Sequence, residues 1–379
     1  MKIAFITPSM FMAGGIERVV TLQANYWCEE GHNVVILTHN NSSCSSFYQL
    51  SPNVQIVYVG ETSAFVRRML AIPVVGKVID ILARRKQFKA ALRFEAPDII
   101  ISTMHGIENF FLSYINNKVP TIGVNHVTTS FRKGVMCSRK VSKMKILLSY
   151  YLQLINFKRY SAIVALSKSE HMIYQRLGCN SIFVPNPSSF NVCDISSLTE
   201  RKKRIIMVGR IEYLKGQDRL IDAWKCLSDL HNYWELMIVG DGDNYDILCE
   251  EVVNSNLSDS LKIVKTTDSV QELMLSSSIF AFSSRNESFG MVILEAFACG
   301  LPVVSYDCDN GPRDMVVDNY NGYLIPEDNT IQFANKLRAI MMDNNLRLKL
   351  AQGAMETVSK YSINAVMPLW NNVFQQVVK

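Results

Sequence analysis

The chain is 379 residues long, 48% hydrophobic and 19% charged, with 18 glycines and 11 prolines. This composition is typical of a folded globular protein and excludes a collagen-like or disordered chain. The length predicts two domains. The sequence contains no uninterrupted apolar run of about 18 residues, so we expect no transmembrane helix. The nine cysteines form no C-x-x-C pair, which favours a reducing compartment over a disulfide or zinc framework.

Charge divides the chain into two unlike halves. The formal net charge is +5, but residues 1–190 contain 21 basic and 9 acidic side chains, whereas the remaining residues contain 18 and 25. The first half is therefore +12 and the second half −7. A basic half of this kind is expected to meet an anionic partner, which can be nucleic acid, a phospholipid surface or a phosphorylated substrate.

The first half opens with an alternation of predicted strands and a helix. The apolar run Lys2–Pro8 predicts a buried strand, which we favour over a short signal peptide. A turn at Gly14-Gly15, a helix over Ile16–Glu29 and a strand over Asn33–Thr38 follow.

The second half repeats this order. A strand is predicted over Arg204–Val208, a turn at Gly209, a helix over Gln217–Leu230 and a strand over Glu235–Gly240. Further predicted strands cover Leu261–Val264, Ile279–Phe282 and Pro302–Ser305, separated by helices over Val270–Leu275 and Val292–Cys299. Such alternation predicts an α/β protein whose parallel sheets carry helices on both faces.

Two doubly wound, Rossmann-like domains are therefore expected, with a linker near Pro185–Glu200, where prolines and serines interrupt the periodicity. We assign residues 1–188 to an N-terminal domain and residues 189–360 to a C-terminal domain. Residues 361–379 form a predicted C-terminal helix that packs back toward the N-terminal domain. Ligands are expected at the carboxyl ends of the strands, in a cleft between the halves.

The segment Glu287–Glu295 follows a predicted strand and leads into a predicted helix. Backbone N–H groups of Ser288, Phe289 and Gly290 at the helix N-terminus can hold an anion or a sugar hydroxyl. On one helix the two glutamates would lie about 12 Å apart, which suits the two ends of an elongated ligand. The alternative is an N-terminal helix charge and a solvated glutamate.

A second candidate site follows the strand Arg204–Val208. Arg210 and Lys215, with Gly209 allowing close approach, form a compact clamp for a diphosphate. Gly14 and Gly15 would let backbone approach the same phosphates without a Cβ in the way. The alternative is that the two basic residues are ordinary solvated surface charges.

These motifs resemble those of the retaining GT-B glycosyltransferases of glycosyltransferase family 4. The resemblance is carried by GGIERVV, VGRIEYLKGQDRLIDAW, IVGDGDN, SSRNESFGMVILEAFACGLPVVS, NGPRDMV and NGYLIP. It covers the second half almost continuously, but the first half mainly at its opening and around Asn125-His126. It implies two Rossmann-like domains that face each other across a cleft. It also implies transfer of a hexose or N-acetylhexosamine from a nucleotide diphosphate sugar, with uridine expected, to a glycan hydroxyl in polysaccharide or O-antigen biosynthesis.

The resemblance implies roles for individual residues. Arg210 and Lys215 would hold the diphosphate and stabilise the leaving group, Glu287 would contact the hydroxyls of the donor sugar, and Glu295 would bind the ribose. The same resemblance assigns donor binding to the backbone of Gly14, Gly15, Ser288, Phe289 and Gly290. His126 would lie near the donor sugar. Because the leaving phosphate is commonly thought to deprotonate the acceptor, no protein nucleophile is assigned.

Two other motifs suggest different chemistry. Asp241-Gly242-Asp243 and Asp307-Cys308-Asp309 read D-x-D, a metal signature of another glycosyltransferase fold. We expect no metal and no other cofactor, because the Arg/Lys clamp supplies the positive charge. Gly240-Asp241-Gly242 is also a partial dinucleotide fingerprint, but Tyr245 stands where the third glycine belongs, so nicotinamide binding is not favoured.

The basic charge of the first half is concentrated in two apolar segments, Ser63–Glu95 and Phe131–Tyr160, the first of which we expect Pro73 and Gly76 to divide into two helices. Such segments are typical of membrane-surface elements, although a solvated helix face is the alternative. We expect peripheral binding to the anionic cytoplasmic face of the inner membrane, with a lipid-diphosphate-linked glycan as acceptor. Nucleic acid is not expected, because no nucleic-acid module accompanies the charge.

Two alternative functions remain at this point. A GT-B-fold sugar-nucleotide epimerase would act on the same donor without an acceptor. A catalytically silent protein that binds nucleotide sugar or membrane would serve as a scaffold.

Overall fold

The structure is a computed structural model that describes residues 1–39, 45–59, 75–115, 118–126, 155–194, 201–267, 269–308 and 310–378. The chain forms two compact units. The first unit comprises Met1–Pro187 and Val366–Lys379, and the second comprises Ser188–Ala365. The chain thus passes into the second unit within the predicted linker and returns to the first unit at its C-terminal end.

The first unit contains a parallel sheet of seven strands in the order β3-β2-β1-β4-β5-β6-β7. Its strands are β1 (Lys2–Thr7), β2 (Asn33–Thr38), β3 (Gln55–Tyr58), β4 (Ile99–Ser102), β5 (Thr121–Val124), β6 (Ala162–Ala165) and β7 (Ser181–Phe183). Strand β1 pairs in parallel with both β2 and β4, so the strand order reverses at β1. The apolar side chains of β1, β2 and β4 are buried on both faces, as expected of a sheet covered by helices, whereas those of the edge strands β3 and β7 are partly exposed.

The helices of the first unit are α1 (Gly15–Glu29), α2 (Val75–Glu95), α3 (Leu112–Ile115) and α4 (Lys168–Arg176). Helix α2 begins at Val75, between Pro73 and Gly76, and includes Gly76 in its first turn; whether a separate helix precedes Pro73 stays a prediction. Residues 63–74 of the first predicted basic segment lie outside the described residues, as do residues 131–154 of the second one.

The last helix of the chain, Ile363–Val377, joins the first unit from Val366 onward. The ring of Trp370 contacts that of Trp27 on α1 edge-on, with centroids 5.5 Å apart, and Phe374 lies 5.3 Å from the same ring. Both tryptophans are about 1% exposed. Aromatic burial therefore holds the C-terminal segment on α1.

The second unit contains a parallel sheet of six strands in the order β10-β9-β8-β11-β12-β13. Its strands are β8 (Arg204–Val208), β9 (Glu235–Val239), β10 (Leu261–Val264), β11 (Ile279–Phe282), β12 (Val303–Tyr306) and β13 (Gly322–Ile325). Strand β8 pairs with β9 and β11, and the strand order reverses there. All the strands predicted for this half are confirmed to within one residue at each end.

The helices of the second unit are α5 (Gln217–Lys225), α6 (Tyr245–Asn254), α7 (Val270–Leu275), α8 (Met291–Ala298), α9 (Pro312–Met315), α10 (Thr330–Met342) and α11 (Asn344–Ser359). Helix α5 ends five residues earlier than predicted. The ring of His231 stacks on Trp224, and its Nε2 forms a 3.0 Å hydrogen bond with the Trp224 carbonyl. The Trp224 carbonyl also accepts from the N–H of Leu227 at 2.9 Å, so the two bonds together occupy a carbonyl that a longer α-helix would have used. No helix in the described part of the chain is long and apolar enough to cross a membrane.

Candidate functional site

The candidate residues of the second unit follow the two neighbouring strands β8 and β11. Arg210 and Lys215 come after β8, and Glu287 comes after β11. The two strands are paired in parallel, with Ile279 opposite Ile205. Their carboxyl ends therefore meet at one edge of the sheet, at the point of strand-order reversal where doubly wound folds bind ligands.

The structure brings Lys215 and Glu287 into direct contact. The Lys215 ammonium donates a 2.6 Å hydrogen bond to Oε2 of Glu287, and the two side chains are only 23% and 17% exposed. Although 72 residues separate them in the sequence, they form one partly buried ion pair. An ammonium group and a carboxylate that accepts its hydrogen bond therefore lie side by side at the carboxyl edge of the sheet.

The turn after β8 fixes the position of Lys215. Gly216 has φ +66°, and a Cβ added there would lie 2.2 Å from the carbonyl oxygen of Ser283. The Ser283 hydroxyl also donates to the Lys215 carbonyl at 3.2 Å. Only glycine fits this close approach, so the Lys-Gly pair of the sequence motif holds the turn against β11.

Arg210 is arranged differently from Lys215. Its side chain is 75% exposed, and its guanidinium donates to Oε1 of Glu212 at 3.1 Å. Its carbonyl accepts a 2.7 Å hydrogen bond from the side chain of Gln217. Among the described residues, the direct partner of Glu287 is therefore Lys215, whereas Arg210 projects into solvent.

Glu287 and Glu295 do not lie on one helix, which corrects the expected spacing of about 12 Å along a helix axis. Helix α8 begins at Met291, and its N-cap Gly290 has φ +85°. Glu287 therefore precedes the helix in a loop, while Glu295 lies within it. The left-handed conformation of Gly290 turns the chain between the two carboxylates.

Glu295 is buried rather than solvated. It is 7% exposed, and its Oε1 accepts a 2.7 Å hydrogen bond from the hydroxyl of Ser189. Sequence reasoning missed Ser189, because nothing distinguishes it from the other serines of the linker.

The backbone between Ser288 and Gly290 is supported by buried neighbours. Phe289 is 3% exposed, and its ring meets that of Tyr361 at 6.2 Å. Burial raises the pKa of Tyr361 to about 12. A Cβ on Gly311 would lie 2.2 Å from the Phe289 carbonyl oxygen, so the Asn-Gly-Pro-Arg segment packs directly on this loop.

The remaining glycines and aspartates of the second unit have local explanations. A Cβ on Gly240 would lie 1.9 Å from the Gly209 carbonyl oxygen, so that glycine serves packing between two loops. Asp241 accepts from the N–H of Gly242 at 2.8 Å, and Asp307 pairs with Arg313 at 2.8 Å. Asp309 lies outside the described residues. Burial, together with the charge of Glu287, raises the pKa of Cys308 well above its usual range.

Gly14, Gly15 and His126 belong to the first unit. Gly14 is the N-cap of α1 in an extended conformation, and a Cβ there would lie 2.1 Å from a carboxylate oxygen of Glu17. Burial raises the pKa of Glu17 above its ordinary value. Gly14 and Gly15 thus lie at the helix N-terminus that follows the central strand β1.

His126 comes two residues after β5, at the carboxyl edge of the first sheet. Desolvation, with a smaller contribution from His105, lowers the pKa of His126 to about 3. The imidazole is therefore neutral near pH 7, so it can donate one hydrogen bond and accept another but carries no charge.

Solved structures share this architecture. A structure of S. aureus TarM with fondaparinux, α-GlcNAc-glycerol and UDP matches with a TM-score of 0.78 at 14% identity, over 98% of this chain and 99% of that one. Two parallel α/β units of this kind make the GT-B fold, as predicted.

The family models identify the class more closely. The model described as Glycosyltransferase Family 4 matches residues 13–187, and the one described as Glycosyl transferases group 1 matches residues 194–357. The chain belongs to glycosyltransferase family 4, which confirms the predicted family.

Two relatives illustrate its neighbourhood. The amylovoran biosynthesis glycosyltransferase AmsD of Erwinia amylovora is 32% identical over 174 residues, which is 46% of this chain and 48% of AmsD. The chain thus spans about half the length of that relative. An α-1,4-N-acetyl-D-galactosaminyltransferase of Campylobacter jejuni, named for an undecaprenol-diphosphate-linked glycan, is 23% identical over 100% of this chain and 99% of its own length. Both relatives are named as glycosyltransferases, as are the two family models that match the chain.

Proposed function

We propose that this chain is a retaining glycosyltransferase. It moves a hexose or N-acetylhexosamine from a UDP-sugar to a hydroxyl of a lipid-linked glycan, in the biosynthesis of a surface polysaccharide such as an O-antigen. The observation that carries the proposal is the 2.6 Å ion pair between Lys215 and Glu287 at the switch point of the second sheet. A cation beside a carboxylate suits a ligand that is anionic at one end and rich in hydroxyls at the other.

The second unit binds the donor in this proposal. Lys215, together with the exposed Arg210, holds the diphosphate, and Glu287 accepts hydrogen bonds from hydroxyls of the sugar. By family resemblance, Glu295 binds the ribose, and the backbone of residues 288–290 binds the sugar and the phosphate. Open space at Gly209 supports this arrangement, because a Cβ there would make only ordinary contact with Lys215, at 3.8 Å.

During transfer, the bond between the anomeric carbon and the diphosphate oxygen breaks, and a bond from that carbon to the acceptor oxygen forms on the same face. The proton of the acceptor hydroxyl passes to the leaving phosphate oxygen. Lys215 and Arg210 stabilise the negative charge that develops on the diphosphate. This scheme requires no metal, since the two basic side chains supply the positive charge, and it requires no protein nucleophile.

The first unit binds the acceptor in this proposal. The carboxyl edge of its sheet is where ligands of such folds bind; at that edge the family resemblance assigns His126 and the Gly14-Gly15 turn to the donor, and the rest of the edge to the acceptor. The neutral imidazole of His126 is suited to hydrogen bonding with a sugar hydroxyl. The acceptor named for the C. jejuni relative supports a glycan on a lipid diphosphate.

Helix α2 supports peripheral binding to the anionic cytoplasmic face of the inner membrane. Four basic residues on it are exposed, namely Arg85, Lys86, Lys89 and Arg93. Leu82 and Phe94 are also exposed, by 55% and 86%, whereas the acidic Asp80 is buried and paired with Arg84. Exposed cations are attracted to an anionic leaflet, and the exposed apolar side chains beside them can enter its interface.

A donor screen tests the catalytic proposal. Thermal shifts with a panel of nucleotide sugars identify the donor, because a ligand at 100 times its Kd stabilises the protein by about 2.7 kcal/mol. The stabilising donor is then incubated with a lipid-diphosphate-linked glycan, and the anomeric configuration of the product is read by NMR. We expect retained configuration and little loss of donor without acceptor. Epimerisation of the donor without acceptor, or binding without turnover, would contradict the proposal.

Flotation with vesicles tests the membrane proposal. The variant R85E/K89E reverses two exposed charges of α2, and K202E/K203E reverses two exposed charges of the second unit as a matched control. At about 1 kcal/mol per basic residue, the α2 variant should bind phosphatidylglycerol vesicles roughly 30-fold less tightly, or weaker still. Equal binding of the wild type to phosphatidylcholine and phosphatidylglycerol vesicles would rule out this surface.

A further inference from the structure

The hydrogen bond from Ser189 to Glu295 joins the beginning of the second unit to the helix that carries the predicted ribose ligand. The Ser189 hydroxyl donates to Oε1 of Glu295 at 2.7 Å, across 106 residues of sequence. Ser189 is the second residue of this unit, which begins at Ser188. It lies outside the Glu287–Glu295 segment, yet it contacts Glu295 within that segment.

The backbone around Ser189 is held in place by its neighbours. The hydroxyl of Ser188 donates to the carbonyl of Phe190 at 2.9 Å, and the N–H of Phe190 lies 3.3 Å from the same hydroxyl. The N–H of Ser188 donates to the carbonyl of Tyr361 at 2.7 Å. These bonds fix the local turn, so the Ser189 hydroxyl is presented to Glu295 without a further ordering cost.

Burial makes this bond consequential for Glu295. The carboxylate is 7% exposed, and a buried carboxylate is costly unless it accepts hydrogen bonds. A carboxylate offers about four lone-pair sites on two oxygens, so a donor on Oε1 orients the group without exhausting its capacity. The Ser189 bond therefore fixes how the Glu295 carboxylate is presented to a ligand hydroxyl.

We propose that Ser189 is a positioning residue for nucleotide recognition, and that it acts through Glu295 to select a ribose over a sugar that lacks the 2′ and 3′ hydroxyls. This inference rests on the proposed function, in which Glu295 binds the ribose of a uridine donor. Ser189 itself need not touch the nucleotide. Its effect should be confined to ligands that carry the hydroxyls Glu295 binds.

Calorimetric titration with UDP and with 2′,3′-dideoxy-UDP tests this role. The wild type should bind UDP at least about 10-fold more tightly than the dideoxy analogue, the size expected for one hydrogen bond to a charged group. In S189A the UDP affinity should fall about 5- to 10-fold while the dideoxy affinity stays within 2-fold. S189T, which retains the hydroxyl, should restore the discrimination.

Two controls separate positioning from a general structural effect. S277A removes a hydroxyl of the same unit that donates a 2.7 Å hydrogen bond to the Leu273 carbonyl, and it should leave the UDP/dideoxy ratio unchanged. In an E295Q background, S189A should have no further effect on that ratio.

The outcomes distinguish this inference from the function on which it rests. If the wild type binds UDP and E295Q weakens it while S189A keeps the full UDP/dideoxy ratio, Ser189 is not a positioning residue, although the proposed donor stands. Equal loss of both ligands in S189A, or the same loss in S277A, would also overturn the inference. If the wild type fails to bind UDP, the uridine donor itself is wrong and the inference falls with it.

Discussion

Replacing Lys215 by alanine should impair transfer much more than it impairs folding. The 2.6 Å bond to Glu287 joins side chains that are 23% and 17% exposed, so solvent screens it in part. A hydrogen bond between charged groups contributes about 1.5–3 kcal/mol, and partial exposure favours the lower end, about 1.5 kcal/mol of folding free energy. Loss of a group that stabilises developing charge costs about 10²–10³ in turnover, or about 2.7–4 kcal/mol.

A double-mutant cycle over K215A, E287A and K215A/E287A measures both effects. Values of kcat/KM are obtained with the identified donor and acceptor, and free energies of unfolding come from denaturant titration. Because each single substitution already breaks the pair, the double variant should lose less than the sum of the single losses.

A second ion pair in the same unit provides the control. Arg338 and Asp229 form a bidentate pair on the surface, with side chains 36% and 58% exposed. The variant R338A/D229A should keep kcat/KM within about 2-fold, since solvent screens an exposed pair and it contributes little. A folded K215A protein with near-normal kcat/KM, or losses that simply add in the cycle, would refute the assignment of the pair to the donor site.

Three further predictions concern single positions. G216A should lower the free energy of unfolding by more than about 1 kcal/mol, because its φ is +66° and its Cβ would meet Ser283; in G209A, where the new Cβ has room, unfolding should be unchanged and only UDP binding should weaken. H126Q should lower kcat about 10²-fold without shifting the pH profile between pH 5 and 8, since the pKa of His126 is lowered to about 3; a profile that loses a limb would contradict a neutral imidazole. Burial raises the pKa of Glu108 to about 7 and lowers that of His39 to about 4. Because the folded protein holds the Glu108 proton more tightly, its contribution to stability is present below about pH 4.5 and is lost as pH rises through 7, whereas that of His39 is present above about pH 6.5 and is lost as pH falls through 4. In H39N only the Glu108 effect remains, so the free energy of unfolding should fall between pH 5 and pH 7. In E108Q only the His39 effect remains, so the free energy of unfolding should rise between pH 4 and pH 6.5. The same pH dependence in both variants would contradict these shifts.

Local patterns determined most of the elements. The strand Arg204–Val208 was predicted from its continuous apolar run, and the structure has it at the same residues. The same holds for Asn33–Thr38 in the first half. A strand buried on both faces needs apolar side chains along its whole length, so a run of consecutive apolar residues marks its position in the sequence.

The end of helix α5 was predicted less well, because it depends on a residue beyond the helix. Helix α5 stops at Lys225, and the His231 side chain bonds to the Trp224 carbonyl there. Apolar periodicity continues past Lys225, so it cannot mark that end. Helix α8 starts at Met291, within one residue of its prediction; the missed feature is Gly290, whose left-handed conformation leaves Glu287 outside the helix.

By itself, the sequence determined which residues form the two α/β units, which family they belong to and which side chains are candidates for donor binding. These properties depend on residue types and on short spacings. Only the tertiary structure decided which candidates meet. Pairing of β8 with β11 brings Lys215 to Glu287 across 72 residues, while Arg210 remains 75% exposed. The hydrogen bond from Ser189 to the buried Glu295 likewise joins residues 106 positions apart. The surroundings of a charged side chain are set by residues that folding brings to it, and local sequence patterns do not contain that information.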